Sequence, residues 1–226
     1  MDKKRDRAEY QERMLRLFCR EQGGNKMRHK ITMTVISALF IIFLSPAASL
    51  SSSEFSPNEV SNLTQGSIVR RPISNGKGSK LGGTSFILVD APPVKVWKAL
   101  FSFNRYPDIF PRTMKTSVVA RKPGSVLLDM EQGSSLIGVN YSLSATYDRE
   151  KMEIVCRMVR SRPHDLSEVQ GFWRLIPQKD GRTLVAYGAV IGINSGLIKY
   201  WAGDVIERGL LNAPRDLKKF IESGSI

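Results

Sequence analysis

The sequence predicts an α+β fold, a curved seven-stranded antiparallel β-sheet wrapped around a long C-terminal α-helix, with two short helices after the first strand. Three observations predict it. A proline pair at residues 92–93 separates a β-rich run from an amphipathic helical pattern. About eighty residues after Pro111 alternate between apolar and polar side chains with period two, interrupted by short turn signals. The C-terminal residues then return to helical spacing.

Residues 84–91, TSFILVDA, are short and rich in strand formers. In PPVKVWKALFSF, the positions Val94, Trp97, Ala99, Leu100 and Phe101 fall near one helical face. A proline stands where the first turn tolerates a missing N–H, so the pair marks a tight strand-to-helix switch. In NRYPDIFP, Asn104 is placed to cap a second short helix that Pro111 ends. Six strand candidates follow: TMKTSVVARK, SVLLDMEQ, GVNYSLSATYDR, MEIVCRMVRS, SEVQGFWRLIPQ and RTLVAYGAVIG. The turns between them are too short for a parallel return, so neighbours must run antiparallel. Last, Leu197, Trp201, Val205, Leu210, Leu217, Phe220 and Ile221 define the apolar face of a long helix, which Pro214 kinks or restarts. A sheet with one apolar face needs a cover, and this helix is the only element long enough. Wrapping a sheet around one helix leaves space between them.

The stretches VDAPPVKVWKALFSFNRYPDIFPRTMKTSVVAR and GFWRLIPQKDGRTLVAYGAVI, at this separation and followed by a terminal helix, resemble the START-like or SRPBCC superfamily with its helix-grip fold. The similar branch is that of polyketide cyclase/dehydrase and coenzyme Q-binding START-domain proteins. The resemblance spans residues 84–223. It implies a cavity between sheet and C-terminal helix that holds a hydrophobic small molecule such as a lipid, an isoprenoid quinone or a polyketide. Pro214 interrupts a helix that relatives keep continuous.

With 226 residues, 42% of them hydrophobic, the chain supports one ordinary core. Its formal charge is +13, of which residues 1–30 carry +5; the remaining +8 is scattered singly rather than gathered into a basic stripe interleaved with aromatics. That is a solvated basic surface, and no nucleic-acid partner is expected. Cys19 and Cys156 flank an apolar segment and are not expected to pair; Cys156 reads as a small buried hydrophobe. One histidine, His164, falls in the domain, so no metal ligand set can be assembled and no cofactor is implied.

MRHKITMTVISALFIIFLSPAASLSSS, from Met27, has a basic start, fourteen uncharged residues at 31–44 and then small residues. This is the anatomy of a signal peptide or a single transmembrane signal-anchor. The basic excess before Ile31 holds the N-terminus inside, so the domain is expected to be exported, either periplasmic or anchored to the membrane outside the cytoplasm. Residues 1–26 read as a charged N-terminal extension or cytoplasmic tail, with Met27 as an alternative start. Residues 27–50 are the signal segment, 51–82 a Ser/Gly-rich linker with a candidate edge strand limited by Pro72, and 83–226 the START-like ligand-binding domain.

Along each strand the more apolar alternate set should face the helix. The residues expected to line the ligand cavity are Val118, Leu128, Met130, Tyr141, Leu143, Cys156, Met158, Trp173, Tyr187 and Val190 from strands, with Leu197, Trp201 and Val205 from the helix. Tyr141 and Tyr187 are the polar anchors. Arg160 and Arg174 read as solvent-facing strand charges, and His164 with Asp165 as a turn. The 104–111 turn and the start of the C-terminal helix form the mouth. Two functions stay open. One is a non-enzymatic carrier or sensor of a hydrophobic small molecule, with a membrane surface or anchor as a second partner. The other is a cyclase/dehydrase-type enzyme acting on a polyketide-like substrate, with Tyr141, Tyr187 or Arg174 assisting proton transfer. Oligomeric state is left open.

Overall fold

Turn chemistry sets where each element begins. The computed structural model describes residues 54–73, 80–133, 138–193 and 203–224, which fall in one unit. The expectations for residues 1–50, and the site residues Leu197 and Trp201, lie outside the described residues. Among those described, no helix is long and apolar enough to cross a membrane.

Helix α1 (Pro57–Thr64) opens on a capping box, in which Ser56 and Glu59 satisfy each other's backbone N–H groups. Strands β1 (Val69–Pro72) and β2 (Lys80–Val89) follow. Pro92 is the N-cap of α2 (Pro93–Phe101), so the proline pair does make the strand-to-helix switch. A 3₁₀ turn (Phe103–Arg105) leads into α3 (Tyr106–Ile109). Asn104 lies inside that turn instead of capping α3, because the chain tightens one residue earlier than the spacing implies. The meander is β3 (Thr113–Lys122), β4 (Ser125–Gly133), β5 (Gly138–Asp148), β6 (Glu153–Met158), β7 (Glu168–Pro177) and β8 (Thr183–Gly192). Helices α4 (Gly203–Leu211) and α5 (Ala213–Glu222) close the domain.

The strands form one antiparallel sheet in the order β1-β2-β8-β7-β6-β5-β4-β3. Eight strands stand where seven were expected, since the GSIVRRPI edge segment pairs with β2 through residues 69–72. The C-terminal helix is two helices, because Pro214 cannot donate the hydrogen bond that a continuous helix requires.

Within the segment read as linker, residues 54–73 are structural. Phe55 and Leu63 bury against Phe86, Leu88, Leu184 and Ala186 on the face of the sheet away from α4 and α5. The Arg71 guanidinium lies 5.1 Å from the Phe55 ring centre and 5.0 Å from that of Phe86, and pairs with Glu59 at 3.1 Å. Alternation explains this second layer: β2 and β8 are apolar on both faces, so the outer one needs its own cover.

On the inner face the helices are fastened to one side. Glu207 of α4, buried, accepts the Gly82 N–H of β2 at 3.0 Å. Gly82 has φ +146°, and a Cβ there would stand 2.0 Å from the Ala189 carbonyl oxygen, so only glycine brings the strands this close. Lys218 of α5 donates to the Leu88 carbonyl at 2.8 Å, and Arg70 donates from Nε to Asn212 at the α4–α5 junction at 2.8 Å. Both helices pack on β2 and β8, and the sheet curls away from them through β7 to β3.

Leu63 is fully buried, so Leu63→Ala should lower stability by about 2–5 kcal/mol in urea unfolding of the full chain. A loss below about 0.5 kcal/mol would mean that α1 contributes nothing to the fold.

Candidate functional site

Among the described residues α4 and α5 pack on β2 and β8, toward one side of the sheet, and the inner face beyond them borders open space. A cavity of about 690 Å³ occupies that space, within the range of about 300–1,000 Å³ common for small-molecule sites. Its wall is the inward alternate set of the sheet. β4 contributes Leu128 and Met130, β5 Tyr141 and Leu143, β6 Cys156, β7 Trp173 and β8 Tyr187. Val205 joins from α4 and is exposed at the rim.

Three of the expected residues are placed otherwise. Val118 and Met158 share the inner face, paired with Leu128 and Leu143, and pack against the same cluster of side chains that lines the cavity, but are not themselves among its lining. Val190 points to the other face: Tyr187, Ala189 and Ile191 line the cavity, and one step of a strand reverses the side chain. Positions 187 and 190 differ in parity and cannot both face inward on a regular strand. Leu197 and Trp201 lie outside the described residues.

Sequence reasoning set the 104–111 turn at the mouth but named none of its rings as lining. Phe103, Tyr106 and Phe110, from the 3₁₀ turn and the residues after it, line the cavity next to that mouth. They continue into the wall as an aromatic chain, with Phe103–Tyr106 at 5.5 Å between ring centres, Tyr106–Phe110 at 5.0 Å, Phe110–Trp173 at 5.9 Å and Trp173–Tyr187 at 4.3 Å. The density of aromatics in FSFNRYPDIF was the available signal. Aromatic walls of this kind are stiff and apolar, with polar tips only at tyrosines.

Those tips differ. Tyr141 donates its hydroxyl to Gln132 Oε1 at 2.6 Å, and Tyr106 donates to the Leu100 carbonyl at 2.7 Å. Tyr187 makes no hydrogen bond among the described residues, which leaves its hydroxyl available to an occupant. Burial holds all three phenols well above their ordinary range, and the Cys156 thiol beside them adds to the effect. Burial also pushes that thiol up to about 12. Cys156 keeps some accessible surface, and that surface opens on the cavity.

Among the described residues, no charged side chain projects into the cavity from the sheet. The charged lining residues are Arg112, before β3, and Arg208, Arg215, Asp216 and Lys219 on α4 and α5. Arg112 and Lys219 are exposed, so this is the mouth, formed where the 110–113 segment meets α4. Arg174 is not among the lining: it pairs with Glu153 at 2.7 Å, which removes it as a proton donor to a cavity substrate. His164 is exposed and also absent from the lining. Among the described residues no group of three His, Cys, Asp or Glu side chains could hold a metal ion.

Residues 89–218 match the family model for polyketide cyclase/dehydrase and lipid transport. No curated protein sequence matches the chain. Solved structures do. An aromatase/cyclase from Streptomyces sp. R1128 superposes with a TM-score of 0.55 at 16% identity, over 65% of this chain and 96% of its own. A Thermus thermophilus protein gives 0.55 at 14% identity, over 63% of this chain and 98% of its own. A STAR-related lipid transfer protein from Xanthomonas axonopodis gives 0.52 at 14% identity, over 69% and 92%. At these identities the likeness is one of fold, a START-like helix-grip.

A thiol held near 12 is almost wholly neutral at about pH 8, so iodoacetamide should label Cys156 at least about a hundredfold more slowly in the native chain than in guanidinium. The fold favours the protonated form, so its contribution to stability is lost as pH rises from the ordinary thiol range toward 12. Equal labelling rates, followed on the Cys156 peptide by mass spectrometry, would mean that water fills the site freely.

Proposed function

The chain belongs to the polyketide cyclase/dehydrase and lipid transport family, and from that premise we propose that it binds a hydrophobic small molecule, a lipid, isoprenoid quinone or similar, and carries or senses it. The observation that carries this reading is the cavity itself, about 690 Å³ with an aromatic lining and an uncharged sheet wall. Removing a ligand's apolar surface from water there is worth about 25 cal/mol per Å², less the cost of immobilising it. The Tyr187 hydroxyl, which has no hydrogen bond among the described residues, supplies one directional contact.

The interior favours a carrier over an enzyme. A general acid or base must reach the substrate with a pKa near the working pH. Here the interior groups are phenols and a thiol that burial keeps protonated, while Arg174 and His164 are not among the lining. The family's name and an aromatase/cyclase of the same fold support the alternative, cyclisation of a polyketide-like chain shaped by the same walls. For location, the proposal follows the signal-like segment at residues 27–50: the domain works outside the cytoplasm, periplasmic or tethered to the membrane.

Native mass spectrometry of the full chain, with extraction of bound lipid, should reveal a co-purifying amphiphile. An empty protein that binds nothing from a lipid and quinone panel would end the reading. Tyr187→Phe separates the two functions. In a carrier it should weaken a polar-tipped ligand by about three- to tenfold, the worth of one hydrogen bond. In an enzyme it should abolish turnover with binding retained.

A further inference from the structure

The cavity's mouth is charged in a way that its interior is not. Four cations, Arg112, Arg208, Arg215 and Lys219, and one carboxylate, Asp216, make up the charged lining among the described residues, and every one lies on the rim segment or on α4 and α5. Three of the cations lack the hydrogen-bonded carboxylate partner a structural cation would hold. The Arg112 and Lys219 side chains are exposed and make no hydrogen bond or ion pair among the described residues. Arg215 has a buried Nε with no hydrogen-bond partner, and its nearest carboxylate, Asp216 Oδ1, is 3.9 Å away, beyond hydrogen-bond reach. An unsatisfied buried donor of this kind is uncommon in a folded chain.

The cations are also held together by the fold. Arg112 lies flat against α4 at Gly209, where a Cβ would stand 2.7 Å from its Nε, so the smallest residue lets the guanidinium settle there. Arg215 and Lys219 are one turn apart on α5 and so share a face, and both line the cavity. Arg70 is near enough to interact with Arg215 and Asp216, and is itself engaged with Asn212 at the helix junction. Asp216 is the one carboxylate set against four cations in this lining, so the charge there stays positive; partial burial raises its carboxyl above the ordinary range even with Arg215, Lys219, Arg112 and Arg70 around it.

We propose that Arg112, Arg215 and Lys219 bind the oxyanion head, carboxylate or phosphate, of an anionic amphiphile whose apolar body fills the cavity, a reading that rests on the ligand-binding function above. A free anion would need only the rim. The rim opens directly onto an uncharged aromatic space, so the two halves of the site match the two halves of one molecule. Guanidinium and ammonium donors make their strongest hydrogen bonds to oxyanions, and field lines concentrate in a cleft with low-dielectric walls.

The test is displacement of Nile red, a neutral dye, from the full chain by oleate, oleyl alcohol and oleoyl lysophosphatidate, with acetate and inorganic phosphate as chainless controls. Oleate and the lysophosphatidate should bind about tenfold or more tightly than the alcohol, with the preference shrinking as salt is raised. In the Arg112→Gln/Lys219→Gln variant the ratio of acid to alcohol affinity should fall toward one, with circular dichroism melting showing that the variant folds. An acid-to-alcohol ratio near one in the unsubstituted chain overturns the head-group assignment but leaves the cavity reading standing. A ratio that survives the double substitution places the head elsewhere and also overturns it. Acetate or phosphate binding as tightly as the long-chain acids would make the rim a free-anion site and overturn the amphiphile. If no long-chain compound binds at all, the ligand-binding function falls with it.

Discussion

The buried carboxylate of Glu207, bonded to the Gly82 N–H, is the constraint from which the rest of the inner face follows. An acceptor removed from water must keep its donors, so α4 cannot slide along β2 without leaving that carboxylate short of a partner. The second helix is tied to the same edge by Lys218 on the Leu88 carbonyl, and the junction between them by Arg70 on Asn212. With the cover anchored at β2 and β8, a sheet that continues to curl from β7 through to β3 must part from it. The hollow results from where the helices are fastened and does not require any missing side chain.

That geometry also divides the chemistry. Inside, burial works on every ionisable group in one direction, raising the phenols of Tyr106, Tyr141 and Tyr187 and the thiol of Cys156, so each stays neutral and offers at most a hydrogen bond. At the rim the lining is charged, and the Arg112 and Lys219 side chains reach solvent. The boundary between the two follows the secondary structure. The lining residues from the sheet carry no charge, and the charges come from Arg112 just before β3 and from α4 and α5.

The outer face has a separate logic. β2 and β8 are apolar on both sides, and their outer side chains are covered by α1 and by Phe55, with Arg71 placed between two rings. Ser56 followed by Glu59, with Pro57 between, is a capping box that was readable in the sequence. It was obscured by the Ser, Asn and Gly around it, which read compositionally as linker. A helix of eight residues carries too little periodicity to announce itself, and only the apolar patch it covers explains its presence.

By itself the sequence determined what is local. The strand limits from β3 to β8, the proline switch into α2 and the break at Pro214 all depend on side-chain period, turn residues and a missing N–H, which act within a few residues. Most of the inward-facing set was legible for the same reason, and Val190 was misplaced only where parity was overridden in favour of hydrophobicity. Tertiary structure alone decided the rest. How far α4 stands from β5, whether Met158 lines the cavity or packs behind its wall, and the meeting of Arg112 with Arg215 and Lys219 all depend on distances between residues remote in the chain. Those distances are set by the curvature of the sheet and the tie at Glu207, and no pattern along the chain encodes either.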